Sequence, residues 1–444
     1  MHNAGPDTVP ISPTARRPDA NDSHLPMARD VSAARARPLW QIMVAYLFVQ
    51  YACWLALLTP YVITIPLKLQ QVAAPAEKVR WLGLTFAIGG ALAAAAAPLW
   101  GAVSDRTRSR IGRRKYWIMI GSAGLLLGLA LLATAASPTA LLAGWMVCQV
   151  MGNATQSSLS AVLSDVIPEE KHGIMSALLG ASVTAAIASG VFLTQFTNWS
   201  PALMFLAPWC LAPVAIALFV AIVPDVSAAA DPAPRFSLAS LLAPFRTNPF
   251  RSRDFSWALG SRLLVMSAWC FALTYQVYFL TDRLHLAPAR VAAFMTLSTS
   301  AMGLISLGLS CIIGWISDRI ARRKIFVIVA ATAMAIGLCG AAGATSFAGF
   351  LAAIALTTVG QGVYYAVDIA LCVEVLPCRE DAARDLGLLM MAAALPQIIV
   401  PLAGAVLLGI GGSEGGGNYF LLFTGAAACS LAGALMTFPI RGVR

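Results

Sequence analysis

GAVSDRTRSRIGRRK, residues 101–115, sets seven charges in fifteen residues between two long apolar runs. A shorter copy, GWISDRIARRK, occupies residues 314–324. Gly, Asp, Arg and a closing Arg-Arg-Lys recur in the same order. A second pair of landmarks agrees: SDVIPEE and VEVLPCR align through Pro168 and Pro377, 209 apart, against 213 for Asp105 and Asp318. Two nearly equal offsets imply a duplicated chain of two similar halves.

Composition sets the class. The 444 residues are 59% hydrophobic and 11% charged, with a mean hydropathy of +0.76. A soluble domain is about 25% charged, so a membrane protein is expected. The net charge of +10 does not point to nucleic acid, because the cations lie in short loops between apolar runs. Nine cysteines fall mostly inside those runs with no CxxC or Cys/His spacing. They read as small buried hydrophobes, with neither zinc nor a disulfide framework.

A helix needs about 20 apolar residues to span a bilayer. The spans predicted are 40–65, 81–100, 116–136, 139–165, 174–196 and 201–223, then 255–280, 290–314, 325–345, 348–373, 386–410 and 418–439. The fold expected is all-α: twelve transmembrane helices in two pseudo-symmetric six-helix bundles, 39–223 and 255–440. Residues 1–38 are rich in Pro, Ala, Ser, Asp and Arg and read as a disordered cytoplasmic tail. Residues 224–254 read as a cytoplasmic linker. With the N-terminus inside, inner segments hold twenty-four of the 30 Lys and Arg and outer loops five, with Arg262 inside a helix. That bias predicts both termini in the cytoplasm. Parallel six-helix repeats around a midplane site are a transporter design.

These residues resemble the major facilitator superfamily. GxxSDRxxxxxGRRK in the second-to-third loop, the six-plus-six helices, and TPYVITIPLKLQQV, SDVIPEEKHG and SRLLVMSAWCFALTYQVYFLTD carry the likeness. SDRTRSRIGRR and YYAVDIALCVEVLPCREDAARDLGLLMMAAALPQIIVP are similar to the glycoside–pentoside–hexuronide:cation symporter branch and its sucrose-transporter-like relatives. The resemblance covers roughly residues 38–440. It implies alternating access by rocking of two bundles about a central cavity. It also implies a gating role for Gly101, Asp105, Arg106, Gly112, Arg113 and Arg114, and for Gly314, Asp318 and Arg319, as a latch between the bundles. The start of helix 11, Arg384 and Lys171 are candidate partners. A positive-inside loop alone would need only the cations.

Charges within the spans are costly, at about 2.5–3.5 kcal/mol on insertion scales, and mark cavities or relays. Arg262 and Asp368 lie at similar depth in the second half, which predicts an ion pair. It is either a structural pair or a proton carrier, Asp368, tuned by Arg262. Asp165 and Glu374, each three residues before a landmark proline, read as helix-end groups. Helices 1 and 2 contain no Asp or Glu, a departure from the sugar symporters of this branch. A sodium site of clustered carboxylates is therefore not expected, and either proton coupling through the second half or no coupling fits better.

Sugar recognition wants amides for hydroxyl groups and aromatic faces for C–H surfaces. Gln149, Asn153 and Gln156 share one face of helix 4, and Gln361, Tyr364, Tyr365 and Asp368 one face of helix 10. Tyr46, Gln50, Trp269, Tyr275, Gln276 and Gln397 complete the cavity candidates. Interhelical hydrogen bonding is the competing use for each. The function expected is proton symport of a sugar or glycoside, with proton-coupled export of a drug or metabolite as the alternative. Helix 5 has Gly but no Pro, which tilts against the exporter. An enzyme is not expected, because His2, His24, His172 and His285 are scattered over tail and loops. GIGGSEGGGN (409–418) lacks the Lys-Ser/Thr ending of a phosphate loop. The expected partners are the bilayer, a small solute and a proton, with no cofactor or metal, on a monomeric chain of the cell (inner) membrane.

Overall fold

The computed structural model describes residues 37–109, 111–197, 200–224, 252–320, 323–374, 382–411 and 417–440. Most of the expected tail, the linker, Pro377 and the core of the Gly-rich loop at 412–416 lie outside them. Among the described residues every regular element is helical. Helices α1 to α6 are Leu39–Val72, Lys78–Arg106, Arg113–Thr134, Pro138–Val166, Glu169–Thr194 and Pro201–Ile222. Helices α7 to α10 are Arg253–Arg283, Pro288–Ile320, Arg323–Ala342 and Phe347–Glu374. Helix α11 joins Ala382–Ala394 to Pro396–Gly409, and α12 is Tyr419–Thr437.

Ten of these have the length and apolarity to cross a membrane. Of the other two, α4 has 29 residues and α8 has 33, long enough to span. Helix α4 is the one that carries the glutamine and asparagine stripe. Polar residues there dilute its hydropathy without shortening it.

The ends are set by local chemistry. Ser137 caps α4 by accepting from the Ala140 amide at 3.2 Å, with Pro138 at the first helical position. Asn418 caps α12 by accepting from the Leu421 amide at 2.9 Å. Gly112 opens α3 at φ 116°, a region closed to most side chains. Prolines interrupt α6 at the 3-10 turn Ala207–Trp209 and α11 at Pro396.

Helix α1 runs past the expected 65 to Val72. It continues through a π-helical segment, Pro60–Thr64, where Pro60 has no amide hydrogen to give. The polar residues of IPLKLQQV suggest a loop, but Ile65, Pro66, Leu67 and Leu69 are buried and keep the chain helical. Helix α7 carries a matching π segment, Phe279–Arg283. Each π segment supplies an aromatic ring to a cluster. Tyr61 lies 4.5 Å from Phe86, and Phe279 lies 4.3 Å from Phe350 and 5.4 Å from Phe423.

The duplication is visible in packing. Gly128 of α3 faces the Cys148 amide of α4, and Gly337 of α9 faces the Thr357 amide of α10. Both pairs are 209 residues apart. A methyl group on Gly128 would sit 2.8 Å from the Cys148 nitrogen, and one on Gly337 would sit 2.6 Å from the Thr357 nitrogen. Helices in lipid associate through such close small-residue contacts. Gly128→Ala and Gly337→Ala should each lower thermal stability in detergent by about 1–3 kcal/mol, the usual cost of overpacking. Val406, Phe420 and Leu435 are among the large apolar side chains left exposed, as expected of a surface facing lipid tails.

Candidate functional site

The basic loop is a charge network within the first half, built on a buried arginine. Arg114 is only 6% exposed. It meets Asp105 at 2.6 Å and Asp165 at 3.2 Å, and donates to Ser104 Oγ at 3.0 Å. Arg113 meets the same Asp165 oxygen at 3.2 Å. Two carboxylates from α2 and α4 thus hold an arginine at the start of α3. Arg106 donates to its own helix at Ala102 O, 2.7 Å away. Asp165 therefore anchors the loop, a role stronger than that of a helix-end group. The surroundings of Gly314 and the side chains of Asp318 and Arg384 are outside what the structure describes, and Arg319 is exposed.

The closing lysines of the two copies do one job. Lys115 donates to Val220 O at the end of α6, at 2.9 Å. Lys324 donates to Phe438 O and to Ile440 O just past α12, the latter at 3.1 Å. Each neutralises the carbonyls left over at a helix C-terminus. The shorter second loop accounts for the change of offset: 213 before it, 209 after it.

Arg262 of α7 and Asp368 of α10 form a buried ion pair, Nη1 to Oδ2. Their residues are 5% and 3% exposed. Cys372 Sγ lies 3.7 Å from the other carboxylate oxygen. Among the described residues these are the only charged side chains six or more residues inside a helix. At 1.5 Å per residue they lie roughly 9–14 Å from the basic end.

The stripe residues divide into engaged and unengaged groups. Asn153 donates to Gln149 O at 2.8 Å within α4. The Tyr46 hydroxyl donates to Leu159 O at 3.0 Å, locking α1 to α4. Tyr275 is buried with its hydroxyl on Pro401 O of α11. These two phenols serve helix packing. Tyr364 and Gln361 are buried, Trp269 is half-buried, and Tyr365 and Gln397 are exposed. Against these, Gln50 Oε1, Gln276 Nε2 and both amide atoms of Gln156 are buried without a partner. The Tyr46–Leu159 bond fixes the register of α1 on antiparallel α4, so Gln50, one turn further, lies level with Gln156.

With the 209 offset, Gln156 corresponds to Tyr365 and Leu159 to Asp368. The stripes match in place but not in charge, because only the second half carries the ion pair. A cavity of about 530 Å³ opens elsewhere, between α3 and α6. Its lining, including Met119, Leu126, Trp209 and Ile216, has no ionisable group, so it is not the candidate site.

The halves touch near the end away from the basic loops. Gln70 bonds Thr281 at 3.3 Å, Lys78 meets Asp282 at 2.6 Å, and Gln195 bonds Thr296 at 2.7 Å. Along α2 the gap to α11 widens. Gly83, Gly90 and Gly101 lie on one face, seven and eleven residues apart. A methyl on Gly83 would sit 2.6 Å from Pro401 O, and one on Gly90 would sit 3.2 Å from Gln397 O. One on Gly101 would meet nothing within 4 Å. The α5–α8 crossing repeats the pattern: Gly303 abuts Thr184, whereas Gly180, one turn nearer the basic end, faces open space. Among the described residues, side chains of the two halves bond to one another at the far end, while Gly101 and Gly180 nearer the basic end face open space.

The family model of the Major Facilitator Superfamily matches residues 42–307 and 258–443. This chain is a Major Facilitator Superfamily protein. No curated protein matches the sequence. Solved transporter structures share the fold at low identity. The nucleoside transporter NupG has 15% identity and a TM-score of 0.66, over 90% of this chain and 98% of that one. A bacterial homologue of the human lysosomal transporter Spinster, inward-facing and occupied, has 12% identity and a TM-score of 0.65, over 92% and 97%. The human organic anion transporter MFSD10 has 16% identity and a TM-score of 0.63, over 90% and 99%. Within this facilitator, the sequence branch resembling sugar symporters stays a resemblance.

Proposed function

We propose that this facilitator carries a small neutral polar solute, a sugar or glycoside, by proton symport. The basic end faces the cytoplasm, and transport proceeds by alternating access. The observation that carries the coupling is the buried Arg262–Asp368 pair. A group that loads a proton on one side and releases it on the other must lie inside the span, and Asp368 is the one carboxylate so placed among the described residues. The pair is neutral as a unit. The remaining candidates are amides, phenols and the Trp269 indole, none of them charged, so the solute need bring no charge.

The unpartnered amides support the solute class. A buried polar atom left without a hydrogen bond costs about 1–3 kcal/mol. Gln50, Gln156 and Gln276 would regain that on meeting hydroxyl groups. Gln156→Ala should therefore raise the half-saturating solute concentration roughly 3- to 10-fold, the worth of one or two net hydrogen bonds. Asn153→Ala, whose donor is already used on Gln149 O, should change it less. Equal effects would remove Gln156 from the site.

Counterflow in proteoliposomes against sugars and glycosides, with and without a pH gradient, tests the function. Nucleosides belong in the panel because NupG, a nucleoside transporter, shares the fold and nucleosides carry a sugar. Uptake of a sugar accelerated by an inward proton gradient supports symport. Proton movement driven only by apolar cations or drugs would replace it with export.

A further inference from the structure

Among the ion pairs described above, Lys78–Asp282 alone joins the two halves. Lys78 is the first residue of α2 and Asp282 lies in the π segment that ends α7. Both side chains are largely buried, at 15% and 8% exposure, so solvent screens the pair weakly.

The bonding around the pair is unequal. Asp282 also accepts from the Tyr419 hydroxyl at 2.7 Å and from Thr281 Oγ1 at 3.0 Å, both in its own half. Lys78 has its ammonium 5.3 Å from the Tyr278 ring centre, and the Tyr278 hydroxyl approaches Lys78 O at 3.5 Å. Both of those contacts also cross to the second half. If the far end opens, Asp282 keeps two hydroxyl donors while Lys78 loses its partners and departs with α2. The separation therefore has a defined plane: carboxylate and hydroxyls on one side, ammonium on the other. The contrast with the basic loop is informative. Arg114, Asp105 and Asp165 all belong to the first half, so rocking of the halves leaves their bonds intact. The Lys78–Asp282 bond cannot survive that motion.

We propose that Lys78 and Asp282 are the latch that holds the far end shut, and that breaking this one pair gates opening there. The proposal rests on alternating access but not on the solute or the proton. Its test reads distance, so its failure is distinguishable from failure of the transport reading. Spin labels go on cysteines at Ala76 and Ala287, exposed positions of the two far-end turns, in a chain whose native cysteines are replaced by alanine. Pulsed electron–electron measurements in nanodiscs then report the closed and open populations. The unaltered latch should give mainly the short distance. Lys78→Met and Asp282→Asn should each shift the open-to-closed ratio roughly tenfold or more, since a charged hydrogen bond contributes to the closed state only. The double variant should shift it no further than the larger single one, because both remove one interaction. Tyr419→Phe, which keeps the pair, should shift it less and controls for misfolding. Unchanged distances in both single variants, or single effects that add in the double, would overturn the latch.

Discussion

Asp368→Asn should abolish solute accumulation driven by a pH gradient while counterflow of the same solute continues. Asparagine has the shape of a protonated aspartate and cannot release a proton. Net coupled uptake needs that release on one side, whereas exchange needs only the loaded carrier to rock. The substitution has a second consequence, because it strands Arg262 as a buried charge. Removing one partner of a buried pair costs about 3–5 kcal/mol, whereas replacing both by neutral groups is often nearly free. Asp368→Asn should thus also lower the unfolding midpoint, and adding Arg262→Gln should restore it. The double variant separates the two roles left open by the sequence. If the pair only permits folding, the stable double variant accumulates solute like the parent. If Asp368 carries the proton, it remains stable, exchanges, and does not accumulate. Uptake with and without a pH gradient, beside thermal unfolding in the same detergent, decides between them.

Much of this arrangement was legible in the chain, for physical reasons that also explain what was not. A bilayer demands long apolar runs, so each expected span overlies a helix with ends shifted by a few residues. The largest shift is at α1, where Lys68, Gln70 and Gln71 look like loop residues. Their helix is stabilised by tertiary burial of Ile65, Leu67 and Leu69, which a local window does not see. The Arg262–Asp368 contact was legible because isolated charges in a membrane must find one another and their depths agreed. Side-chain direction was not. Tyr46 and Tyr275 share the composition of cavity residues, yet their hydroxyls go to backbone carbonyls of neighbouring helices. Asp165 looked like a helix-end acid because its two arginines arrive from another helix. Lys78 and Asp282 are 204 residues apart and meet only when the halves close at the far end. The one local hint was an acid at a helix end in a chain poor in acids.

Gly101→Leu should leave the protein folded and block transport in every mode, counterflow included. Gly101 lies on the same face of α2 as Gly83 and Gly90, which already touch the α11 backbone. A methyl group at 101 meets nothing within 4 Å, so neither the helix packing described above nor the Arg114 network opposes a side chain there. Closing the basic end brings this part of α2 toward α11. The glycine is then what lets the two approach as closely as they do at Gly83. A leucine there would hold the helices apart, and overpacking of this kind costs about 1–3 kcal/mol. Charged to the closed state alone, that is a roughly 5- to 150-fold loss of its population. The unfolding midpoint should stay within error of the parent, since the conformation described here has room for the side chain. Counterflow should fall by the same factor as net uptake, unlike the outcome at Asp368. Gly101→Ala should lie between the two. A leucine variant that exchanges solute at the parental rate would show that α2 and α11 do not meet at residue 101, and the basic end would have to close elsewhere.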